Sequence, residues 1–550
     1  MEQSFIAFLE DSIKKNWDLD ALTDYKGATL QYKDVARKIE KLHIIFELSG
    51  IKQGDKIAVC GRNSSHWGVT FLAAVTYGAV IVPILHEFKS DNIHNIVNHS
   101  EARLLMVGDM VWENLNENAM PLLEGVILMN DYTLLVSRSS KLDYARDHLN
   151  ELFGKKYPRN FRREHVSYRR DTPEELAVIN YTSGTTSYSK GVMIPYRALW
   201  SNTQFAFDVL KMNPGDKLVS MLPMAHMYGL AFEFLYEFCV GCHIYFLTRT
   251  PSPKIIFQAF SEVKPNLVVA VPLIIEKIIK KNVLPKLETP AMKILLKVPI
   301  INDKIKATVR EQMINAFGGN FYEIIVGGAA FNQEIEQFLK SIDFPYTVGY
   351  GMTECAPIIC YEDWKYFKPG SCGKAAPRME VKILSPDPEN IVGEIVCKGP
   401  NVMLGYYKNP EATAEVIDKD GWLHTGDLGV MDAEGNVTIK GRSKNMLLGP
   451  SGQNIYPEEI ESKLNNLPFV MESIIIEKNG KLVGLVYPDY DTVDSTGISH
   501  TDLPVIMEQN RIELNKLLAP YETISEIQLY PTEFEKTPKK SIKRYLYSNY

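Results

Sequence analysis

Short apolar runs alternate with helical stretches along the chain up to about residue 340. The strand-like runs are Lys56–Cys60, Ala79–Ile84, Leu104–Val107, Val126–Met129, Leu267–Val271 and Glu323–Val326. When a helix carries the chain from the end of one strand back to the start of the next, the two strands can pair in parallel. The sequence therefore predicts an α/β fold with largely parallel sheets.

The pattern changes between about residues 346 and 441, where apolar runs shorten and Gly, Pro and Asp turns become frequent. Such spacing predicts an antiparallel sheet or a small barrel. A compact segment of roughly a hundred residues follows Gly441, with predicted helices at Pro457–Leu464 and Leu503–Leu518. We therefore predict an N-terminal domain of residues 1–441 and a C-terminal domain of residues 442–550.

One uncharged stretch, Trp67–Leu85, is long enough to cross a membrane. Tyr77-Gly78 interrupts it and Pro83 lies near its end, so a buried helix, a turn and a core strand are favoured. The N-terminus looks amphipathic and helical, and it lacks the apolar core of a signal peptide. We expect a cytoplasmic protein without a transmembrane segment, and leave peripheral membrane contact open.

The composition is that of an ordinary soluble protein, with 45% hydrophobic and 23% charged residues. A net charge of −7 argues against a general nucleic-acid binder. Seven cysteines, an odd number, fit a reducing compartment. Residues 239–243 (CVGCH) match a haem-attachment pattern, but their apolar surroundings favour a core helix that runs into a strand.

The longest basic run is KKYPRNFRREHVSYRR, residues 155–170. Two interpretations stay open. It is either a solvated loop or a surface that binds an anionic partner, such as a nucleotide phosphate or an acidic lipid headgroup.

Residues 182–191 read TSGTTSYSKG and lie between two short apolar runs. Glycines let the backbone approach a ligand closely, and successive N–H groups and hydroxyls suit phosphate oxygens. Lys190 adds a positive charge. The stretch is not a Walker A loop, because Ser189 stands where that pattern needs Gly and Gly191 follows the lysine. A phosphate-binding loop is predicted, with a polar surface loop as the alternative.

Three further stretches combine glycine with aromatic, hydroxyl or charged side chains. They are GYGMTE (349–354), WLHTGDL (422–428) and GRSKN (441–445). The Tyr350 ring can stack on a base, Thr353 can bond a phosphate oxygen and Glu354 can hold Mg²⁺. Asp427 is a candidate acceptor for ribose hydroxyls. For the first two of these stretches, an ordinary turn is the alternative.

In this order and at these separations, the four stretches resemble the adenylate-forming (ANL) superfamily of AMP-dependent synthetases and ligases. That superfamily includes acyl-CoA synthetases, firefly luciferase and the adenylation domains of peptide synthetases. The run GRSKNMLLGPSGQNIYPEEIE is most similar to the long-chain fatty acyl-CoA synthetase branch. The resemblance implies a large N-terminal domain of two layered α/β subdomains plus a small β-barrel-like subdomain, followed by a small mobile α+β domain.

The resemblance also implies a reaction with ATP, Mg²⁺ and CoA. A fatty acid carboxylate, of medium or long chain, attacks the α-phosphorus of ATP and gives an acyl-adenylate and pyrophosphate. The CoA thiol then takes the acyl group and releases AMP. Two alternatives stay open: transfer to the phosphopantetheine of a carrier protein, and non-catalytic binding of a nucleotide or acyl-adenylate.

By the same resemblance, individual residues receive expected roles. The nucleotide-binding residues would be Thr182, Ser183, Gly184, Thr185, Thr186, Lys190, Gly328, Ala329, Ala330, Tyr350, Gly351, Met352, Thr353, Asp427 and Arg442. Tyr350 would stack on adenine, and Glu354 with Thr186 would serve Mg²⁺. Lys444 would be the hinge. His226 would lie near the carboxylate end of an acyl pocket, unless it is only a core histidine.

Three features depart from the superfamily pattern. Ser187 and Ser189 replace Gly and Pro in the phosphate loop, and Tyr196 stands where His is common. The third departure concerns the C-terminal lysine of T-x-x-x-K-I-x-R, whose position is Ser541 in this chain.

Lys540 is one residue too early for that role, and neighbouring side chains in an extended segment point opposite ways. A bulge or a shifted loop would have to bring it into place. We assign the catalytic lysine to Lys540, with Lys539 and Lys543 as the next candidates and a merely solvated charge as the alternative.

Overall fold

The computed structural model describes residues 3–182, 190–248, 252–283, 287, 289, 299–448, 453–537, 541–548 and 550. The chain forms two compact units. The first includes Met1–Thr182, Ser189–Glu380 and Lys398–Leu423, and the second includes Val381–Cys397 and His424–Tyr550. The domain boundary predicted at Gly441 stays a prediction.

The first unit contains a sheet of eight strands, called here the central sheet. In spatial order its strands are Gly405–Tyr406, Lys190–Pro195, Leu176–Thr182, Val80–Ile84, Lys56–Cys60, Ala102–Val107, Gly125–Leu128 and Leu134–Ser137. The five strands from Leu176–Thr182 to Gly125–Leu128 run parallel. The strands beyond them pair antiparallel. Every residue of Val80–Ile84 is buried, as expected for a parallel strand covered on both faces.

The described residues of the first unit also form three smaller sheets. One has the order Lys217–Ser220, His243–Phe246, Asp20–Asp24 and Thr29–Gln31. A parallel sheet contains Val268–Ala270, Ile324–Val326 and Tyr346–Val348. An antiparallel sheet contains Tyr350–Gly351, Ile358–Tyr361 and Lys374–Ala375. The parallel sheet therefore ends immediately before the GYGMTE stretch, which brings that stretch to the carboxyl edge of its strands.

The helices of the first unit lie between these strands. In the described residues its α-helices are Phe5–Lys15, Tyr32–Leu48, Ser65–Tyr77, Ser90–Ser100, Asp109–Trp112, Ser140–Asp147, Leu149–Lys156, Tyr196–Val209, Met227–Leu230, Tyr236–Val240, Pro253–Val263, Pro272–Asn282, Pro299–Ala316, Gln333–Ser341 and Pro410–Val416. A π-helical segment spans Ala231–Leu235, and 3₁₀ turns span Glu117–Ala119, Arg163–His165 and Thr353–Cys355.

The uncharged stretch Trp67–Leu85 is a buried helix, a turn and a core strand, as predicted. The side chain of Ser64 caps the helix by accepting from the Trp67 N–H group. Gly78 ends the helix with φ +94°, a left-handed conformation that favours glycine. No helix in the described ranges is long and apolar enough to cross a bilayer.

The CVGCH stretch is also buried, as its apolar neighbours indicated. Helix Tyr236–Val240 runs into strand His243–Phe246, and both Cys239 and Cys242 lie in the core. The Nε2 atom of His243 is hydrogen-bonded to the Thr23 hydroxyl at 2.6 Å. These groups therefore serve the packing of the first unit.

The described part of the second unit contains three sheets and the helices that pack on them. Its sheets are Glu380–Leu384, Gly393–Lys398, Leu423–Met431 and Val437–Arg442; Leu447–Leu448 and Asn454–Ile455; and Val470–Lys478, Lys481–Pro488 and Ile524–Leu529. Its α-helices are Pro457–Leu464, Tyr490–Thr496 and Leu503–Lys516, and its 3₁₀ turns are Ser443–Asn445, His500–Asp502, Pro520–Glu522 and Arg544–Leu546. Ile460 and Leu464 pack with Val486 and Met507 in one buried cluster.

Much of the charge in the basic run 155–170 is neutralised by acids of the first unit. Lys156 pairs with Glu40 at 3.1 Å and Arg170 with the side chain of Glu10 at 2.9 Å. Glu10 and Glu40 are both buried. The run is therefore tied to the surface of the fold and is less basic than its sequence indicates.

Candidate active site

An antiparallel hairpin of the central sheet carries the Ser/Thr-rich loop. Thr182 lies directly opposite Lys190, where the two strands meet the loop. A Cβ atom on Gly191 would lie 3.0 Å from Ile179 and 3.1 Å from the Tyr181 ring, so this position favours glycine. The predicted nucleotide-binding residues Ser183, Gly184, Thr185 and Thr186 lie outside the described residues.

The GYGMTE stretch forms a tight strand followed by a 3₁₀ turn. Tyr350 pairs with Cys360 and Gly351 with Ile358. A Cβ atom on Gly351 would lie 2.2 Å from the carbonyl oxygen of Pro357, a distance that no side chain tolerates. The backbone approach at this point therefore requires glycine.

The predicted residues around Tyr350 differ in burial. Tyr350 and Thr353 are buried, with 7% of each exposed, while Met352 and Glu354 are half-buried. Gly328, Ala329 and Ala330 form an exposed turn after strand Ile324–Val326, and Gly328 has φ +87°.

A largely apolar cavity adjoins Tyr350 in the first unit. It has about 460 Å³ of empty space, part of it open to solvent. The lining residues are Phe205, Leu210, Tyr228, Phe232, Ile325, Pro357, Ile358 and Tyr361, with the glycine-rich segments 327–328 and 349–351. A cavity with such walls suits an apolar ligand whose polar end reaches the glycines.

A buried carboxyl group lies behind one wall of the cavity. The Tyr361 hydroxyl donates to Glu323, whose oxygens lie 2.8 and 3.1 Å away. Burial raises the pKa of Glu323 to about 8, although the hydrogen bond from Tyr361 lowers it. The wall therefore carries little charge near neutral pH, which agrees with an apolar ligand.

Three polar side chains hold the segment 220–226 that leads to His226; we call them the polar clamp. They are Asn63, Asn180 and Glu233. The carboxyl group of Glu233 accepts from two N–H groups of the segment at 3.0 and 2.8 Å. Asn63 accepts one N–H at 2.9 Å and donates to a carbonyl at 2.6 Å, and Asn180 donates to another at 2.8 Å. The clamp fixes the backbone conformation before His226.

His226 is the residue immediately before the helix that follows the clamped segment. Its side chain is half-buried, and Tyr228 and Phe232 are the lining residues that this helix contributes to the cavity. The apolar helical stretch continues to Val240, with a π-helical segment at Ala231–Leu235 in its middle. The role of His226 at the carboxylate end stays a prediction.

Glu354, Tyr406 and Lys190 form a connected cluster in the first unit. The Tyr406 hydroxyl donates to Oε1 of Glu354 at 2.9 Å. The Lys190 ammonium lies 4.7 Å from the centroid of the Tyr406 ring. Burial, together with the Glu354 carboxylate, raises the pKa of Tyr406 above its ordinary value, so the phenol keeps its proton. Sequence reasoning missed Tyr406, since GYY at 405–407 matches none of the patterns considered.

Glu354 fits the predicted Mg²⁺ ligand by its chemistry. Mg²⁺ prefers oxygen ligands and is commonly held by one or two carboxylates together with substrate phosphates. The Glu354 carboxylate is half-buried, and one of its oxygens is fixed by Tyr406. The second predicted ligand, Thr186, lies outside the described residues.

In the second unit, Asp427 and Arg442 lie opposite each other on neighbouring strands. Nε of Arg442 is 2.9 Å from Oδ1 of Asp427. The Asp427 side chain is 7% exposed and that of Arg442 is 61% exposed, so the pair presents its guanidinium to solvent. Lys444 follows in an exposed 3₁₀ turn.

In the second unit, the described residues on either side of 538–540 pair at an isolated antiparallel bridge between Lys536 and Ile542. The Thr537 N–H group donates to the Ser541 carbonyl at 2.8 Å, and Ser541 is exposed. Lys540 and Lys539 lie outside the described residues. Lys543 donates to Glu535, and this hydrogen bond raises the pKa of Lys543. Its ammonium is thus already engaged.

A family model described as AMP-binding enzyme matches residues 9–407. The chain belongs to the AMP-binding enzyme family. The expectation of an enzyme of the adenylate-forming superfamily is thereby confirmed.

Named members of the AMP-binding family resemble the chain along most of its length. Long-chain-fatty-acid–CoA ligase 5 of Rattus norvegicus is 28% identical over 504 residues, which cover 85% of this chain and 72% of the relative. Long-chain-fatty-acid–CoA ligase 1 of Homo sapiens is 27% identical over 579 residues, which cover 95% and 81%.

A solved structure shares the fold of this AMP-binding enzyme. The crystal structure of ATP-bound MatB from Rhodopseudomonas palustris matches with a TM-score of 0.77 at 21% identity, and covers 100% of this chain and 98% of that chain. The predicted α/β fold, with its large N-terminal and smaller C-terminal parts, is confirmed.

Proposed function

We propose that this chain is an ATP-dependent acyl-CoA synthetase that acts on a fatty acid of medium or long chain. The observation that carries the proposal is the apolar cavity beside Tyr350, in an enzyme of the AMP-binding family. The names of the relatives from Rattus norvegicus and Homo sapiens support it, since both are long-chain-fatty-acid–CoA ligases.

In the first half-reaction, a carboxylate oxygen of the acid attacks the α-phosphorus of ATP. A new P–O bond forms, the bond from the α-phosphorus to the bridging oxygen breaks, and pyrophosphate leaves. Tyr350 stacks on the adenine, and Asp427 with Arg442 holds the ribose. Lys190 and the Ser/Thr-rich loop bind the phosphates of the leaving group. Positioning and charge neutralisation supply most of the rate enhancement in such a step.

Mg²⁺ would be held by Glu354 and Thr186, and when bound it neutralises charge on the phosphates. Lys540 bridges the attacking carboxylate and the α-phosphate, where its ammonium stabilises the charge that both groups share in the transition state.

In the second half-reaction, the CoA thiolate attacks the carbonyl carbon of the acyl-adenylate. A C–S bond forms, the bond between the acyl carbon and the phosphate oxygen breaks, and AMP leaves. The apolar cavity keeps the acyl chain in place during both steps. Lys444 is the hinge at which the C-terminal domain of residues 442–550 reorients between them.

The direct test measures pyrophosphate release from ATP and Mg²⁺ with saturated acids from acetate to palmitate, each with and without CoA. We expect acid-dependent release that continues to turn over only when CoA is present. The acid with the highest kcat/KM gives the chain length.

Two outcomes would contradict the proposal. ATP binding without release for any acid in the series would mean that adenylation was lost with the lysine at position 541, or that the acid is of another class. Aryl and branched acids distinguish these two cases. In the second outcome, pyrophosphate release continues to turn over with a holo carrier protein and stops with CoA. The acyl acceptor would then be protein-bound phosphopantetheine and not CoA.

A further inference from the structure

Tyr406 contacts both charged groups that the proposed function assigns to the metal and the phosphates. Its hydroxyl donates to Oε1 of Glu354 at 2.9 Å, and its ring centroid is 4.7 Å from the Lys190 ammonium. The side chain is 7% exposed. One buried residue thus touches a carboxylate and an ammonium at the same time.

The backbone around Tyr406 is held from two directions. The Met403 N–H group donates to the main-chain carbonyl of Glu354 at 2.8 Å. Tyr406 itself lies in the edge strand that pairs with Lys190–Pro195, and its N–H group donates to Thr413 at 2.9 Å. The phenol is therefore fixed relative to the main chains of both partners.

We propose that Tyr406 is a positioning residue, which orients the Glu354 carboxylate for Mg²⁺ and the Lys190 ammonium for the nucleotide phosphates. The proposal rests on the proposed function, because that function gives Glu354 and Lys190 their ligands. The hydroxyl occupies one oxygen of Glu354 and leaves the other for the metal. The ring face attracts the ammonium, whose N–H donors can still reach phosphate oxygens.

Holding both side chains in advance matters because Lys and Glu are long and flexible. Each loses rotamer freedom when it binds a ligand, and this loss weakens binding. A rigid aromatic ring that already restricts both of them reduces the loss. Tyr406 would therefore contribute to metal and nucleotide affinity without touching either ligand.

Three variants of the full chain separate the two contacts. Tyr406→Phe removes the hydroxyl and keeps the ring, whereas Tyr406→Leu removes both. Tyr407→Phe is the matched control: it makes the same chemical change one residue along, where the hydroxyl donates to Glu101 at 3.1 Å.

Two binding measurements are made on each variant. Mn²⁺ affinity at saturating ATP is followed by electron paramagnetic resonance, and ATP affinity in EDTA by calorimetry. For Tyr406→Phe we expect Mn²⁺ affinity to fall about tenfold, as for one hydrogen bond to a charged group, with metal-free ATP affinity unchanged. For Tyr406→Leu we expect metal-free ATP affinity to fall a few-fold as well, as for the loss of one cation–π contact.

Equal Mn²⁺ affinities for Tyr406→Phe and Tyr407→Phe would overturn the inference. So would a Tyr406→Phe variant that loses Mn²⁺ and metal-free ATP affinity to the same extent, because that would indicate general damage to the fold. Neither measurement needs an acid or CoA. A failed pyrophosphate assay would therefore refute the proposed function and leave this result standing.

Discussion

The close backbone approach at Gly351 allows a sharp test of how the GYGMTE stretch is built. Replacing Gly351 by Ala would place a Cβ atom 2.2 Å from the Pro357 carbonyl oxygen and 2.9 Å from its carbon. The obstructing atoms belong to the backbone, so no side-chain rotation relieves the clash. The Tyr350 strand and the Pro357 segment must move apart by about 1 Å, because overpacked contacts of this kind are not tolerated.

Overpacking of this size costs about 1–3 kcal/mol. We expect Gly351→Ala to lower the melting temperature by several degrees, since about 1 kcal/mol corresponds to roughly 2–4 °C in domains of 150–250 residues. The displaced Tyr350 ring would lower ATP affinity as well, by about tenfold, a change worth about 1.4 kcal/mol. Scanning calorimetry and ATP titration calorimetry measure the two effects.

Gly349→Ala is the matched control, two residues away on the other side of Tyr350. Its Cβ atom would meet its nearest neighbour, the Cys360 carbonyl oxygen, at 3.7 Å, which is ordinary contact. Both variants remove the same backbone freedom from the unfolded chain. If Gly351→Ala were as stable as Gly349→Ala and bound ATP equally well, the steric explanation of this glycine would be wrong.

Burial raises the pKa of Glu237 to about 8, above its value in the unfolded chain, so the protein should lose stability as pH rises from about 4.5 to 8. Glu237→Gln should therefore raise the melting temperature more at pH 8 than at pH 5. The exposed control Glu113→Gln should leave the melting temperature unchanged at both pH values. If Glu237→Gln raised the melting temperature equally at pH 5 and pH 8, this explanation would be wrong. Lys540→Ala should slow acid-dependent pyrophosphate release about a hundredfold, as for a lost charge stabiliser. If Lys540→Ala left the rate of pyrophosphate release unchanged and Lys539→Ala lowered it, Lys539 would be the catalytic lysine. Phe232→Ala should enlarge the cavity proposed for the acyl chain and shift the highest kcat/KM towards longer acids. Each additional methylene that is buried should contribute about 0.8 kcal/mol to binding. An unchanged dependence of kcat/KM on chain length across saturated acids would exclude Phe232 from the acyl site.

Strands and helices with strong local signals were predictable. Strand Lys56–Cys60 and helix Pro457–Leu464 have the predicted bounds, because an apolar run marks the first and a proline followed by acids marks the second. The predicted strand Leu267–Val271 is shorter, Val268–Ala270, since the ends of a strand depend on its neighbours in the sheet. The strands between residues 346 and 441 belong to four different sheets, and the local spacing of turns does not reveal such a division.

The candidate site divides in the same way. Tyr350, Glu354 and Lys190 stand in glycine-rich motifs that a reader of the sequence can recognise. Tyr406 lies in a strand of two residues, too short for any periodic pattern, and becomes significant only through its pairing with the Lys190 strand. The role of Asn63 cannot be predicted from the sequence either, because its hydrogen-bond partners lie about 160 residues further along the chain.

The polar clamp limits how the apolar cavity, our proposed acyl site, can be re-engineered. Glu233 lies within the segment from 205 to 361 that lines the cavity, but Asn63 and Asn180 lie outside it. A chimera that imports this segment from a relative would keep one clamp residue and inherit the other two from the host. The acid specificity of such a chimera should thus depend on whether host and donor have the same residues at positions 63 and 180. Transferring those two residues together with the segment should restore activity in chimeras that otherwise lose it.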